Sequence, residues 1–509
     1  MAFALRDMRS VIVHCDNDII RAGFAVVELF PLPTVILTAC YAVPTCPARV
    51  NETNGDVSMA DGDATPLQDA TSKYGWLVGE ELVNAQKEVG WENNLEIKWP
   101  FRSTKEMDDC DGREFVLAHL LGLLGINIST NHSPLLLIPP PTPTFPLSTQ
   151  ALYTQLAFES LNTPMFSMLP APLSALYALG VTTGIVIHIG RNQSIVFAVT
   201  DSIIRWECSA TANIGQADCE EFFEQLLLND ELLEQELRNA SGSESLEPEE
   251  KRRFVREVAT VIWTECTGDD IEVPVVDTGV AEAIGVQATG DDDSFDVAKK
   301  LVGDNAPVTT THSHKNKRQQ AQALAAANKA AAAAVEAAQQ SLADTIVINI
   351  PSLPEKEIQL GPVRHRICEP LLKGTEPGGD TVWEAAGRAV ENASLSIGEK
   401  LSLWDGVCVI GEIARIKSFA PSFLTYLSPY LLSSSELSSD CQASKARLLN
   451  IPEYFANYKK STTELAPFLG GMLVAKVAFT EASGKHSVSK VDYNTRGPEI
   501  AYTVLGEDR

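Results

Sequence analysis

Residues 161–200 read LNTPMFSMLPAPLSALYALGVTTGIVIHIGRNQSIVFAVT, and this stretch decides the fold. Its apolar segment 173–179 is compatible with a helix and stops at Gly180, as helices do when glycine forms the left-handed cap. Two apolar runs, Gly184–Ile189 and Ser194–Thr200, then flank a short polar turn. This order predicts a helix, a glycine cap and a β-hairpin with a tight polar tip.

A second hairpin pattern lies near the start of the chain. Residues 10–16 form an apolar run, a polar turn follows, and residues 21–29 are a second strand candidate. Two hairpins of one plan indicate a duplicated architecture with a cleft between its halves. Other apolar patterns predict helices over 113–124, 216–233, 251–263 and 380–401 and buried strands over 134–138 and 406–410, and ordered structure is expected to resume at 345–350.

The composition is typical of an intracellular soluble protein. The chain has 509 residues, enough for two or more cores, and its ten cysteines are scattered without a CxxC pair, as expected of buried thiols in a reducing compartment. The net charge of −27 argues against a nucleic-acid surface and suits either basic protein partners or simple solubility. The chain shows no signal-peptide pattern, and its most apolar early run, 26–43, carries one glutamate and two prolines, so no membrane helix is expected.

Several segments together resemble one family. LNTPMF at 161–166, LYALGVTTGIVI at 176–187 and the turn after Ile189 are similar to the middle of actin, and LGPVRHRICEPLL at 360–372, FLGG at 468–471 and YNTRGP at 493–498 follow in the actin order. The chain is identified as a member of the actin superfamily, with the resemblance spanning residues 10–505. It implies an α/β, actin-like fold: a duplicated RNase H-like ATPase fold in which two lobes of two subdomains surround a central cleft, with large surface insertions.

The resemblance also implies a division of the chain. Residues 1–160 form a first lobe with an insertion at about 48–71. Residues 161–410 form the second lobe with insertions at about 239–250 and 264–344, and residues 411–509 complete that lobe and return to the first, with an insertion at about 433–446. The third insertion holds the alanine tract 321–343 and a basic run, 315–318. With the preceding His312 and His314, this run is interpreted as a solvated charge run, a nuclear import signal or a set of metal ligands.

The first hairpin tip lacks what an actin-type ATPase needs. In actin this tip reads Asp-Asn-Gly-Ser-Gly-x-x-Lys-Ala-Gly-Phe, whereas residues 16–24 here read DNDIIRAGF. Glycines at such tips let backbone N–H groups approach phosphate closely. The Gly-Ser-Gly step is deleted, Asp16 keeps the leading acid before Asn17, and Arg21 stands at the phosphate-contacting lysine position.

The second tip has changed its charge. In actin it reads Asp-Ser-Gly-Asp-Gly-x-Thr, whereas residues 188–194 read HIGRNQS and keep only Gly190 of the tip glycines. His188 and Arg191 replace the two acids and offer no oxygen ligand to a hard cation such as magnesium.

Other pocket positions depart from the pattern as well. Ala171 replaces the glutamine that orients the attacking water. On the adenosine-cradling helix Arg256 is kept, but the next two functional positions are Ala259 and Thr260.

These changes predict no catalytic residue, no metal and no cofactor. The degenerate nucleotide-pocket positions are Asp16, Asn17, Arg21, Ala171, His188, Gly190, Arg191, Arg256, Ala259, Thr260, Gly411 and Glu412, the last two from the altered Ser-Gly-Gly-Thr-Thr loop. Metal-free pairing of Arg21, Arg191 and Arg256 with an anionic ligand such as ATP stays open.

The retained feature is a groove that accepts amphipathic helices in actin. One wall is expected from Tyr177, Gly180 and Thr182, and the other from Leu469, Leu473, Val474, Val477 and Phe479. The alternative is that these residues belong to the core of a helix pair.

The C-terminal signature narrows the family. Residues 452–460 (PEYFANYKK) and FLGG at 468–471 resemble the actin-related subunits of fungal SWI/SNF and RSC chromatin remodellers. That resemblance implies a nuclear scaffold that pairs with a second actin-related protein or actin, with a possible small accessory subunit, and clamps the helicase-SANT-associated helix of the motor subunit. It implies neither sequence-specific nucleic-acid binding nor membrane binding. The rivals are a cap at the pointed end of dynactin and an active actin-like ATPase.

Overall fold

A computed structural model describes residues 9–25, 30–45, 75–87, 90–102, 109–242, 247–265, 268–275, 344–376, 378–432, 441–459, 461–480 and 486–504. The chain divides into two compact units. The first comprises Met1–Glu221, Glu272–Ile284 and Cys368–Arg509, and the second comprises Phe222–Ile271 and Gly285–Ile367. The lobe boundaries expected from the sequence remain predictions.

The described strands and helices are interspersed along the chain. In chain order the strands are β1 (Ser10–Cys15), β2 (Ile19–Ala25), β3 (Val35–Thr38), β4 (Tyr41–Pro44), β5 (Leu77–Val78), β6 (Leu95–Lys98), β7 (Leu135–Ile138), β8 (Met165–Met168), β9 (Gly184–Ile189), β10 (Ser194–Thr200), β11 (Ile203–Ile204), β12 (Ala210–Ala212), β13 (Ile346–Ile350), β14 (Leu353–Leu360), β15 (Val407–Ile410) and β16 (Val488–Ser489). The α-helices are α1 (Glu80–Ala85), α2 (Cys110–Leu123), α3 (Leu147–Gln155), α4 (Ala171–Ala178), α5 (Gln216–Leu228), α6 (Glu231–Ser241), α7 (Pro248–Glu265), α8 (Glu369–Lys373), α9 (Val382–Val390), α10 (Ile397–Trp404), α11 (Phe419–Tyr426), α12 (Ala466–Ala478), α13 (Lys490–Arg496) and α14 (Ala501–Val504).

Two sheets of the first unit share one plan. The first has the order β16-β8-β7-β1-β2-β3, and the second has the order β11-β10-β9-β15, with β12 also paired to β10. In each sheet a hairpin, β1–β2 or β9–β10, has a parallel strand beside its first strand, β7 or β15. All residues of β1 and of β9 are buried, which explains their nearly continuous apolar sequence.

Helices α4 and α12 pack against each other and carry side chains into a core that both sheets share. This core includes Ile12 and Leu136 from the first sheet and Val186 and Ile410 from the second. A Cβ atom at Gly470 would overlap the carbonyl oxygen of Ser174. The glycine of α12 is therefore required by the close approach of the two helices.

Two predicted helices are each divided in the structure. The segment 216–233 forms α5 and the start of α6, because Asp230 caps α6 by accepting a hydrogen bond from the backbone N–H of Leu232 (2.9 Å). The segment 380–401 forms α9 and the start of α10, because Ser396 and Glu399 make a capping box at the start of α10.

Parts of the expected insertions are ordered elements. Helix α6 extends to Ser241 and α7 begins at Pro248, so residues 239–241 and 248–250 of the expected insertion belong to helices. The second unit contains these helices together with the two-stranded β13–β14 sheet. The segment 48–71, the basic run 315–318 and the alanine tract 321–343 lie outside the described residues. No helix in the described part of the chain is long and apolar enough to cross a lipid bilayer.

Candidate functional site

The two hairpin tips of the first unit are short turns. In the first, the Asp16 N–H donates to the Ile19 carbonyl oxygen at 2.9 Å. In the second, the Gly190 N–H donates to the Gln193 carbonyl oxygen at 3.1 Å. Because both turns close within a few residues, neither forms an extended loop of backbone donors.

A histidine–carboxylate pair joins the two tips. The His188 Nε2 lies 3.0 Å from Asp16 Oδ1, and both side chains are buried. Burial opposes ionisation of Asp16, but the charge of His188 and its hydrogen bond, with His14 and Arg21, outweigh burial and hold the pKa of the Asp16 carboxyl well below its usual range. A Cβ atom on Gly190 would lie 3.1 Å from the side-chain Nδ2 of Asn17, so the Asn17 side chain of the first tip packs against the Gly190 backbone of the second.

His14 lies beside this pair in β1. Burial and the nearby Arg21 charge lower its pKa to about 3, with His188 acting in the same direction and Asp16 opposing. The Nδ1 atoms of His14 and His188 are both buried and lack a hydrogen-bond partner among the described residues. The imidazole of His14 is therefore neutral over the physiological pH range.

Arg21 faces a glutamate from a distant part of the chain. The Arg21 guanidinium forms an ion pair with the Glu464 carboxylate, and the arginine is fully enclosed. A buried guanidinium without a counter-charge is very costly, so Glu464 satisfies a requirement that β2 alone cannot meet.

Arg191 organises a second network at the other tip. Its guanidinium contacts the Glu220 carboxylate with two nitrogens, at 2.8 and 2.9 Å, and lies 3.8 Å from an oxygen of Asp18. Gln216 donates to Glu220 at 2.9 Å and to Glu412 at 3.2 Å.

Asp18 and Glu412 complete the same network. The Asp18 carboxylate also pairs with Arg102. Burial raises the pKa of Glu412 against the opposing hydrogen bond from Gln216, and Asp16 and Asp18 raise it further. The space next to the tips is thus occupied by mutually paired side chains.

The other predicted pocket residues are distributed differently. Ala171 is buried in the core at the start of α4, because this helix packs its first turn inward. Gly411 follows β15 with φ of 99°, and a Cβ atom there would overlap the carbonyl oxygen of Ile189. The remaining three, Arg256, Ala259 and Thr260, lie on α7 of the second unit, and their place in a common pocket stays a prediction.

Six residues of these networks were not singled out from the sequence as site residues. Charged Arg21 within an apolar strand signals that a carboxylate must lie nearby, but no local pattern identifies which one. The residues that sequence reasoning missed are His14, Asp18, Arg102, Gln216, Glu220 and Glu464.

An apolar groove of about 650 Å³ lies between α4 and α12. Tyr177 from α4 and Leu473, Val474 and Val477 from α12 line it. The further lining residues are Phe145, Gln150, Ser167, Met168, Leu169, Pro170, Leu173, Asp201, Ser202, Ile203, Ile204, Trp206, Ala478 and His486.

Four residues expected in the groove do not line it. Leu469 and Phe479 are buried in the shared core, because their side chains leave α12 on its inner side. Gly180 and Thr182 are exposed beyond the end of α4, where Gly180 adopts the left-handed conformation with φ of 75°.

Known proteins show similarity over much of the chain. The family described as actin matches residues 5–259. The SWI/SNF and RSC complexes subunit arp9 of Schizosaccharomyces pombe is 25% identical over 381 residues, which cover 69% of this chain and 68% of that relative. The two sheets with their repeated hairpin plan agree with the predicted duplicated α/β fold. The chain belongs to the actin family.

Proposed function

We propose that the protein is a non-catalytic actin-related scaffold subunit of a nuclear ATP-dependent chromatin-remodelling complex. It pairs with a second actin-related protein or actin, with or without a small accessory subunit, and its groove clamps the helicase-SANT-associated helix of the motor subunit. Similarity to the subunit arp9 supports the complex.

The observation that carries the non-catalytic part is the contact of His188 with Asp16 at 3.0 Å between the hairpin tips. In an actin-type ATPase this region holds phosphates and the hydration shell of a cation. Here the carboxylates of Asp16 and Asp18 are engaged by histidine and arginine side chains, so they are not available as cation ligands. Loss of a single charge-stabilising group lowers catalytic rates by about 100-fold or more, and several are absent here.

The groove supports the binding part of the proposal. Its wall on α12 presents Val477, which is 51% exposed, and its opposite rim presents Ile203, which is 47% exposed. Apolar residues at helical spacing on a partner would fill this groove in the helix-in-groove mode. The net charge of −27 favours a helix with basic flanks, because complementary charge accelerates encounter.

Purification of the tagged full-length chain from its own cells, followed by identification of its companions, tests the assignment. We expect a remodeller motor subunit and a second actin-related protein or actin. Recovery with dynactin subunits instead would identify a pointed-end cap and refute the proposal.

Nucleotide content tests the non-catalytic part separately. We expect the denatured, purified chain to release no ATP or ADP and the isolated chain to show no ATP turnover. Turnover in magnesium-containing buffer would establish the rival function, an active actin-like ATPase.

The variant Val477→Glu tests the groove. Because the side chain is largely exposed, the substitution leaves the fold intact but places a charge against the apolar face of a bound helix. We expect loss of the motor subunit from the purified complex. The matched control Val491→Glu changes a residue on α13 that is 75% exposed and lies outside the groove, and it should retain the motor subunit. Equal recovery with both variants would contradict the groove assignment.

A further inference from the structure

A second cavity of the first unit, of about 490 Å³, is rich in arginine. It lies between the hairpin tips and the proline-rich segment 139–146. Arg102, Arg113 and Arg191 all line it, whereas no aspartate or glutamate is among its described lining residues. This arrangement is unusual for a chain with a net charge of −27. We call it the arginine cavity.

Arg113 is the distinctive residue of the arginine cavity. It is only 5% exposed and comes from α2, and its Nε donates to the Pro100 carbonyl oxygen at 3.0 Å. Within the described part of the chain no carboxylate forms an ion pair with it. Its guanidinium carbon lies 5.8 Å from the ring centre of Tyr153. Arginine cannot lose its proton to relieve this burial, so its charge has no counter-charge among the described residues.

The other two arginines reinforce the positive character. Arg102 and Arg191 bind the carboxylates of Asp18 and Glu220, but those carboxylates do not line the cavity. Tyr153 adds a phenol hydroxyl that makes no hydrogen bond with the described residues, and burial raises its pKa above the ordinary value, so it stays protonated and able to donate.

The cavity also has an apolar portion. Phe101, Phe145 and the prolines of the segment 139–146 form part of the lining. A ligand that fits both portions carries an anionic group and a small apolar or neutral body. The planar guanidinium of Arg113 matches the oxygens of a phosphate or a carboxylate.

We propose that the arginine cavity binds a small ligand through a phosphate or carboxylate group that pairs with Arg113, without a metal ion. The site is distinct from the contact between the tips, because neither Asp16 nor His188 lines the cavity. Tyr153 donates a further hydrogen bond to the anion. The bound anion supplies a counter-charge that the part of the chain described by the structure does not provide for Arg113.

Calorimetric titration and thermal unfolding of the full chain test this site. Sodium pyrophosphate, phosphate and citrate are compared with sodium chloride at matched ionic strength, in buffer with a metal chelator. We expect at least one of the three anions to bind and to raise the unfolding midpoint, and the comparison of pyrophosphate with citrate distinguishes a phosphate ligand from a carboxylate one. Arg113→Met should weaken binding at least tenfold, whereas Arg113→Lys should retain part of it.

Without a bound anion, Arg113→Met is expected to keep or raise the thermal stability of the chain. In chloride buffer Arg113→Met should unfold at the same or a higher temperature than the wild type, because an unpaired buried charge has been removed. Arg496→Met, which removes an exposed arginine elsewhere, should alter neither binding nor the midpoint. If Arg113→Met does not fold, Tyr153→Phe should show several-fold weaker anion binding with its fold intact. Absence of binding by the wild type, or equal binding by the wild type and the folded variant, would overturn the proposal.

Discussion

The hairpin tips and the apolar groove lie in the same unit, but they differ in how their side chains are covered: charged side chains at the tips pair with one another, and apolar side chains in the groove are exposed. Between the tips, His188 and Asp16 pair directly, and Arg191 is held by Glu220. In the groove, exposed side chains such as Val477 face open space. The charged groups of the first region are paired within the chain, whereas the second region gains free energy only when another apolar surface covers it. The contrast favours a protein that acts by binding.

The largest effect is expected where the groove meets the core. Gly470→Ala places a methyl group against the Ser174 carbonyl oxygen, so α4 and α12 must separate. We expect a loss of more than about 5 kcal/mol in the free energy of unfolding, with failure to fold as the extreme outcome. Urea denaturation followed by circular dichroism measures it.

Gly398→Ala is the matched control for that substitution. Gly398 lies in α10 and a Cβ atom there meets no neighbouring atom within 4 Å. Alanine should therefore stabilise the helix by about 0.5–1 kcal/mol. If the two glycine variants have equal stability, the packing described for α4 and α12 is wrong.

An intermediate effect is expected at the tips, where charges satisfy each other. Glu464→Gln leaves the buried Arg21 without its counter-charge and should cost about 3–5 kcal/mol of stability. The double variant Arg21→Met/Glu464→Met removes both charges and should unfold within about 1 kcal/mol of the wild type, or be more stable. Urea midpoints of the wild type, the single variant and the double variant decide this. If the double variant is as unstable as the single variant, the loss of stability does not come from leaving the Arg21 charge unpaired.

The smallest effect is a pH dependence that originates in His14. Its pKa in the folded chain is about 3, below the unfolded value of about 6.5. As pH falls below about 6.5, the unfolded chain takes up a proton that the folded chain does not, so stability falls by up to about 1.4 kcal/mol per pH unit. His14→Leu should remove this contribution. Unfolding measured between pH 6.5 and 4.5 should show a shallower slope for the variant, and identical slopes would contradict the neutral, buried state of His14.

Much of the fold could be predicted because apolar runs and turn residues are local signals. The hairpin at Gly184–Ile189 and Ser194–Thr200 has the expected bounds, since a polar turn separates two fully buried strands. The helix predicted over 216–233 is too long, because the apolar periodicity continues across the capping residue Asp230. A cap signal competes with periodicity, and here the cap decides the boundary.

Several residues of the site could be identified from the sequence, but the residues with which they interact could not. His188, Arg191 and Arg21 were recognised as changes from an ATPase pattern, but their partners are 172, 29 and 443 residues away in the chain. Only the tertiary fold brings such residues together. Arg113 was not recognised at all, because a single arginine within a helix resembles an ordinary solvated residue until its burial is known.

Helix α12 has a consequence for how the chain is made. Its residues close a core that also contains Ile12, Leu136, Val186 and Ile410, so strands from both sheets stay uncovered until a segment far along the chain from β1 has been synthesised. A nascent chain that has emerged only as far as β15 exposes the inner faces of both sheets. Such apolar surfaces are bound by chaperones and promote aggregation. Folding of this unit is therefore completed after most of the chain has left the ribosome, and truncation before residue 466 would leave an insoluble product.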